Sequence, residues 1–196
     1  MHTSVCSSVA VSKSVNFSSH GVYPLKSVGS TLCGVYSGAT HMKPEIAVLL
    51  HNVRSTHNVG SIFRTADAAG VSHVYLSGYT PTPIDRFGRP RKDVTKTALG
   101  AESSVPWTYD KHPAPRIARL RSLGWRIIGV EQDVRSLNYR TQRFDTDTLF
   151  ILGNEVRGLS RPLRELCDAL IEIPMRGKKE SLNVSVAAGI VLFSAR

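Results

Sequence analysis

The chain has 196 residues, 41% of them hydrophobic, which is enough to bury the core of one domain. Its 25 Lys and Arg against 15 Asp and Glu give a formal charge of +10, which points to a polyanionic partner such as RNA or DNA rather than an acidic small molecule. Cys6, Cys33 and Cys167 are odd in number and lack C-x-x-C spacing, which argues against a disulfide framework or a zinc site and fits a reducing compartment. No metal site is expected. No apolar run approaches the ~20 residues of a membrane-spanning helix, so no membrane partner is expected either.

From Met1 to His41 the chain is rich in Ser, Thr, Val and Gly, has no Asp, Glu or Arg, and shows no sustained helix or strand period. It reads as a non-core extension: a leader or cloning-derived segment ending in "THM", an organelle transit peptide, or a native tail. A transit peptide should carry more arginine. Residues 42–196 form the expected domain. The expected compartment is the cytoplasm, or an organelle if residues 1–41 are a transit peptide.

In chain order, "EIAVLL" reads as a strand, "NVGSIFRTADAAG" as a helix, "HVYLSG" as a strand and "PAPRIARLRSLG" as a helix closed by Gly124. "WRIIGVEQ", "LFILGNE" and "ALIEIPM" continue the strands, with "RPLRELCDA" and "NVSVAAGIVLFSAR" as helices. Short apolar strands alternating with helices predict an α/β domain, a mainly parallel sheet with helices on both faces.

On the helix opening at Asn58, Val59, Ile62, Phe63, Ala66 and Ala69 form one apolar stripe that should pack on the sheet. Arg64 points almost opposite, among the small residues Gly60, Ser61 and Ala68, where another body could approach closely. Alternatively, Arg64 pairs with Asp67 at the surface. Asn58 stands where turn becomes helix, so it is either an N-cap or part of a site. In parallel α/β sheets ligands collect beyond the carboxyl ends of strands, where both residues lie.

Two further stretches reach the same edge. "LFILGNEVRGLS" leaves a strand into a glycine-bracketed loop holding Asn154 and Glu155, and "IEIPMRGKKESLNVSVAAGIVLF" leaves a strand into a polar loop and a helix starting near Asn183. That last helix is apolar on nearly every side, which predicts cover by a partner subunit as well as by its own core. Neither G-x-G-x-x-G nor G-x-x-x-x-G-K-[ST] is present, so neither a Rossmann dehydrogenase nor a P-loop enzyme is expected.

Together "NVGSIFRTADAAG", "LFILGNEVRGLS" and "IPMRGKKESLNVSVAAGIVLF" resemble the three motifs of the SpoU (TrmH-type) RNA ribose 2′-O-methyltransferases of the SPOUT superfamily, over Glu45 to Arg196. The resemblance implies a C-terminal trefoil knot holding S-adenosylmethionine (AdoMet), and a homodimer with catalytic residues near its interface. It implies catalytic roles for Asn58, Arg64, Glu155, Ser181 and Asn183, and cofactor contacts from Leu152, Gly153, Ile173 to Met175, and Leu182. Glu155 would orient the cofactor or Arg64, or be a solvated loop carboxylate. Ser181 and Asn183 would also suit helix-start caps.

Arg64 would act as a general base, or as a cation that favours loss of the hydroxyl proton and holds the adjacent phosphate. Since a guanidinium keeps its proton at neutral pH, the second role is the better chemistry. For RNA, "RFGRPRKDVTK" offers a loop with Arg86, Arg89, Arg91, Lys92 and Lys96 around Phe87, suited to phosphates and a stacked base. Arg116, Arg119 and Arg121 on a predicted helix read as a solvated face. A compact tRNA element is favoured over rRNA. The alternatives are a catalytically silent RNA-binding module of the same fold and a knotted domain used as a fusion scaffold.

Overall fold

The computed structural model describes residues 43–196. The expectations for residues 1–41 lie outside the described residues. Seven strands form one sheet: β1 (Ile46–His51), β2 (His73–Ser77), β3 (Trp107–Asp110), β4 (Arg126–Val130), β5 (Leu137–Asn138), β6 (Thr148–Leu152) and β7 (Ala169–Glu172). Their order is β3-β2-β1-β6-β4-β7-β5 and every pairing is parallel. The two central strands, IAVLLH and TLFIL, are buried along almost their whole length, as strands covered on both faces must be.

One face carries α1 (Thr56–Ala68), α2 (Lys92–Ala98), α3 (Ala101–Ser104) and α6 (Val184–Ser194), packed on Ile46, Val48, Leu50 and Phe150. The other carries α4 (Ala114–Ser122) and α5 (Arg161–Glu165), packed on Ala47, Leu49, Leu149 and Ile151. Successive residues of β1 and β6 thus feed two separate cores, the alternation of a strand expressed across a two-sided sheet. The predicted stripe of α1 is buried as expected: Val59, Ile62, Phe63, Ala66 and Ala69 all join the first core.

Some expectations need correction. The helix foreseen over residues 161–169 stops at Glu165, because Asp168 is drawn into the sheet: its Oδ2 accepts the Ile127 N–H at 2.7 Å and its own N–H donates to Ile127 O at 2.8 Å. The strand read through Glu155 stops at Leu152. The segment taken as a basic loop becomes helix α2 from Lys92 onward, carrying only Val94 and Ala98 as buried residues. Strands β3 and β5 went unseen, the first being a half-buried edge and the second only 2 residues long.

What comes close to Gly60 is the chain's own α2. A Cβ at Gly60 would lie 2.1 Å from Thr97 Oγ1 and 2.4 Å from Val94 O, so only glycine lets the two helices touch there. Gly→Ala in an open helix stabilises by ~1 kcal/mol. Gly60→Ala should instead destabilise, by ~1–3 kcal/mol as in overpacked cores. Urea unfolding of the variant checks the sign; an unchanged or raised midpoint would mean the α1–α2 contact is looser than described.

Candidate active site

Helix α1 begins two residues earlier than the sequence suggested. Ser55 is its N-cap, with φ −80° and ψ 118°, and its hydroxyl accepts the Asn58 N–H at 3.3 Å. The capping alternative for Asn58 is therefore overturned, and its side chain is free for other partners. In a capping box an acidic residue of the first helical turn reaches back to the N-cap amide. Here that place is taken by Glu155, 100 residues later, which accepts from Ser55 N at 3.1 Å and from Arg54 N at 3.0 Å.

Glu155 also accepts from Asn58 Nδ2 at 3.0 Å, while Asn58 Oδ1 accepts from Asn183 Nδ2 at 3.1 Å. An ionised carboxylate only accepts, so the Asn58 amide must turn its nitrogen to Glu155 and its oxygen to Asn183. The chain Glu155–Asn58–Asn183 joins the three sequence motifs by side-chain hydrogen bonds. Burial opposes ionisation of Glu155, yet hydrogen bonds from the Arg54 and Ser55 amides and from Asn58 outweigh it and hold its pKa below the usual glutamate value.

Asn183 does cap α6, since its Oδ1 accepts the Ser185 N–H at 2.8 Å. Ser181 does not cap; it lines the cleft beside this network. That cleft, about 340 Å³, lies beyond the carboxyl ends of β4, β6 and β7, and of the expected cofactor contacts Leu152, Gly153, Ile173, Met175 and Leu182 line it while Pro174 does not. Gly153 is required by a close approach, because a Cβ there would lie 2.5 Å from the Gly158 carbonyl. The volume suits a nucleoside-sized ligand.

Several contributors escaped the sequence reading. Asn154, 8% exposed, donates to Asn52 O and to the Tyr79 hydroxyl, both at 3.0 Å, and its Oδ1 accepts the Val156 and Arg157 amides. It thereby fixes the loop that carries Glu155. Glu131 follows β4, accepts the Gln132 amide at 3.0 Å and supports the Gly158–Leu159 peptide from beneath. Its only signal in the sequence was a carboxylate at the end of an apolar strand. Glu131, Glu155, Glu172 and Glu180 line the cleft against one cation, Arg157. In a chain of net charge +10 that acidic lining is suited to a positively charged ligand, and so fits a sulfonium cofactor.

Arg64 is not brought into the cleft of its own chain. It is exposed on α1, ~9 Å along the axis from Asn58. Among the described residues Glu155 forms no ion pair with Arg64, and its recorded donors are Arg54, Ser55 and Asn58. The expected alternative pairing with Asp67 is also absent among the described residues, since Asp67 accepts from the Ser104 hydroxyl at 2.7 Å. Helix α6 passes beside this part of α1: a Cβ at Gly189 would sit 3.7 Å from Thr65 Cγ2.

Of the expected RNA contacts, Arg86 and Arg89 stand exposed on a turn, Lys92 is exposed at the start of α2, and Arg91 is partly buried at its N-cap with Nε enclosed and unpaired among the described residues. Arg116 pairs with Asp110 at 2.9 Å and Arg121 with Asp168 at 3.0 Å, which agrees with a structural surface on α4. No helix of the described residues is long and apolar enough to cross a membrane.

The SpoU rRNA Methylase family matches residues 45–193. The chain is 37% identical over 152 residues to the 23S rRNA (guanosine-2′-O-)-methyltransferase RlmB of Ralstonia nicotianae, covering 78% of this chain and 58% of that protein. It is 31% identical over 152 residues to a tRNA (guanosine(18)-2′-O)-methyltransferase of Aquifex aeolicus, covering 78% and 69%. Among solved structures it is similar to an AdoMet-bound rRNA methyltransferase from Sinorhizobium meliloti, with TM-score 0.72 and 32% identity over 79% of this chain and 57% of that one. The chain thus spans a little under three fifths of the length of the RlmB relative. With the family match covering all three motifs that the hydrogen-bonded chain unites, the protein belongs to the SpoU methylase family.

Proposed function

We propose that residues 42–196 transfer a methyl group from AdoMet to a ribose 2′-OH of structured RNA. The observation that carries this reading is the hydrogen-bonded chain Glu155–Asn58–Asn183 at an acidic cleft lined by Leu152, Gly153, Ile173, Met175 and Leu182, five of the residues expected to hold the cofactor. When bound, AdoMet supplies an electrophilic methyl group on a sulfonium. Leu152, Ile173, Met175 and Leu182 would enclose its apolar parts, with the backbone at Gly153 close by. The knotted passage of the C-terminal chain belongs to this same proposal.

Glu155 stays ionised and is committed to amide donors, which makes it a weak base and a positioning residue for Asn58 and Asn183. Arg64 holds the phosphate next to the acceptor ribose and stabilises the hydroxyl oxygen as its proton passes to solvent water. Because Arg64 lies outside its own cleft, the reading includes a homodimer. Its support is the apolar side of α6, where Val186 is 49% and Phe193 55% exposed, on the flank that α6 shares with α1. A second copy covering α6 would bury those side chains and bring its own cleft toward Arg64.

Arg86, Arg89 and Lys92 would serve as phosphate contacts, with Arg91 a weaker candidate for its buried Nε. The RNA we favour is a compact tRNA element, as one named relative uses, with rRNA as the second substrate class to assay. The compartment that goes with this reading is the cytoplasm, or an organelle if residues 1–41 direct import.

Labelled AdoMet incubated with total tRNA and, separately, rRNA, followed by nucleoside mass spectrometry, should reveal a 2′-O-methylated nucleoside. Arg64→Ala should lower the transfer rate by ~10²-fold or more while AdoMet affinity stays within a few fold, and Arg64→Lys should recover little, because a point charge cannot make the bidentate phosphate contact. Transfer that is independent of Arg64 would remove it from the mechanism.

Glu155 also has a pH signature. A carboxylate whose folded pKa is depressed adds stability above its unfolded value, and loses it as pH falls through the folded value. Glu155→Gln should therefore be less stable than the wild type at pH 7, with the gap narrowing below pH ~4. Denaturant midpoints across that range test it; a gap that persists unchanged into acid would assign the loss to packing.

A further inference from the structure

The turn between β2 and α2 displays an aromatic ring that the fold does not use. Phe87 is 66% exposed, and the guanidinium carbons of Arg86 and Arg89 lie 4.7 and 5.7 Å from its ring centre. Among the described residues neither arginine pairs with a carboxylate. The nearest acid, Asp85, is occupied in building the turn: its Oδ1 accepts the Phe87 and Arg89 amides at 2.8 and 2.9 Å. The Asp85 N–H donates to Arg89 O at 2.8 Å, the Gly88 N–H donates to Asp85 O at 3.0 Å, Gly88 has φ 77°, and Ile84 bridges Pro90 across the base. An apolar ring thus stands in water on a preorganised support, with a cation close on each side in sequence.

We infer that Phe87 is a stacking platform for an unpaired base, with Arg86 and Arg89 holding the phosphates on either side of that nucleotide. In a duplex the faces of the bases are covered by their neighbours, and only edges and phosphates are presented. A phenyl ring on a short turn therefore gains from a base only where the strand is open, and the two cations add attraction for the backbone and for the stacked pair. The turn leaves the carboxyl-end edge of the sheet, the edge on which the cleft opens. This deepens the proposed function and rests on it for RNA as the partner: the substrate offers a single-stranded loop rather than a continuous helix.

The test is binding of the full chain to an unstructured 12-nucleotide RNA and to a 12-base-pair RNA duplex, by fluorescence anisotropy across a salt series. The single strand should bind more tightly. Phe87→Ala should weaken single-strand binding ~10-fold or more without changing the salt slope or the duplex affinity, and Phe87→Trp should restore it. Arg86→Ala and Arg89→Ala should each reduce the slope of log affinity against log salt by ~0.7, the value for one phosphate contact on a single strand. Unchanged affinity in Phe87→Ala, equal loss on the duplex, or no single-strand binding by the wild type would overturn the platform. AdoMet binding measured on the same samples separates the two readings. A chain that binds AdoMet but ignores Phe87→Ala refutes only the platform; one that stacks RNA through Phe87 without binding AdoMet refutes only methyl transfer.

Discussion

The site depends on one carboxylate. Glu155, in the loop after β6, completes the N-terminus of α1 by accepting the Arg54 and Ser55 amides and then holds Asn58, which in turn holds Asn183 at the start of α6. Helix starts leave amide donors unpaired and carry partial positive charge, so an acceptor delivered from a distant loop satisfies them and pins that loop to the helix. Three segments of chain lying between Arg54 and Asn183 thereby share one set of hydrogen bonds. Asn154 performs the complementary task on the other side of the loop, tying it to Asn52 and Tyr79.

Charge is divided between two regions. The cleft is lined by four glutamates and one arginine, whereas Arg86, Arg89 and Lys92 project from the segment after β2. A cationic cofactor and a polyanionic substrate would then be drawn to different places on a single small domain, and each would meet side chains of the opposite sign. Arg64 belongs to neither region.

Much of this was legible because burial on both faces of a parallel sheet produces apolar runs, and β1, β4, β6 and β7 are such runs. The apolar stripe of α1 and the apolar surround of α6 followed from helical periodicity alone. Strand β3 was hidden because its residues are half exposed, and α2 because only Val94 and Ala98 mark its inner side. In the site, each motif could be placed at the sheet edge, but the partners could not. That Glu155 would serve α1 rather than Arg64 depends on contacts across ~100 residues that no local pattern encodes, whereas the Ser55 cap is a local contact with Asn58 that the residue type alone could have marked. Gly60 shows the same limit: it read as part of a low surface that another body could approach closely, and the body that approaches is the chain's own α2, through Thr97 and Val94.

The central claim is that the Glu155 carboxylate assembles the cleft in which AdoMet binds. Titration calorimetry of AdoMet into the wild type and Glu155→Ala, each first shown to be folded, tests it most directly. The account predicts one AdoMet bound per chain in the wild type and at least ~10-fold weaker binding in Glu155→Ala, since the variant loses the acceptor that fixes α1, the loop after β6 and, through Asn58, the start of α6. Equal affinity in the two proteins would contradict it and show that the cleft forms without the carboxylate.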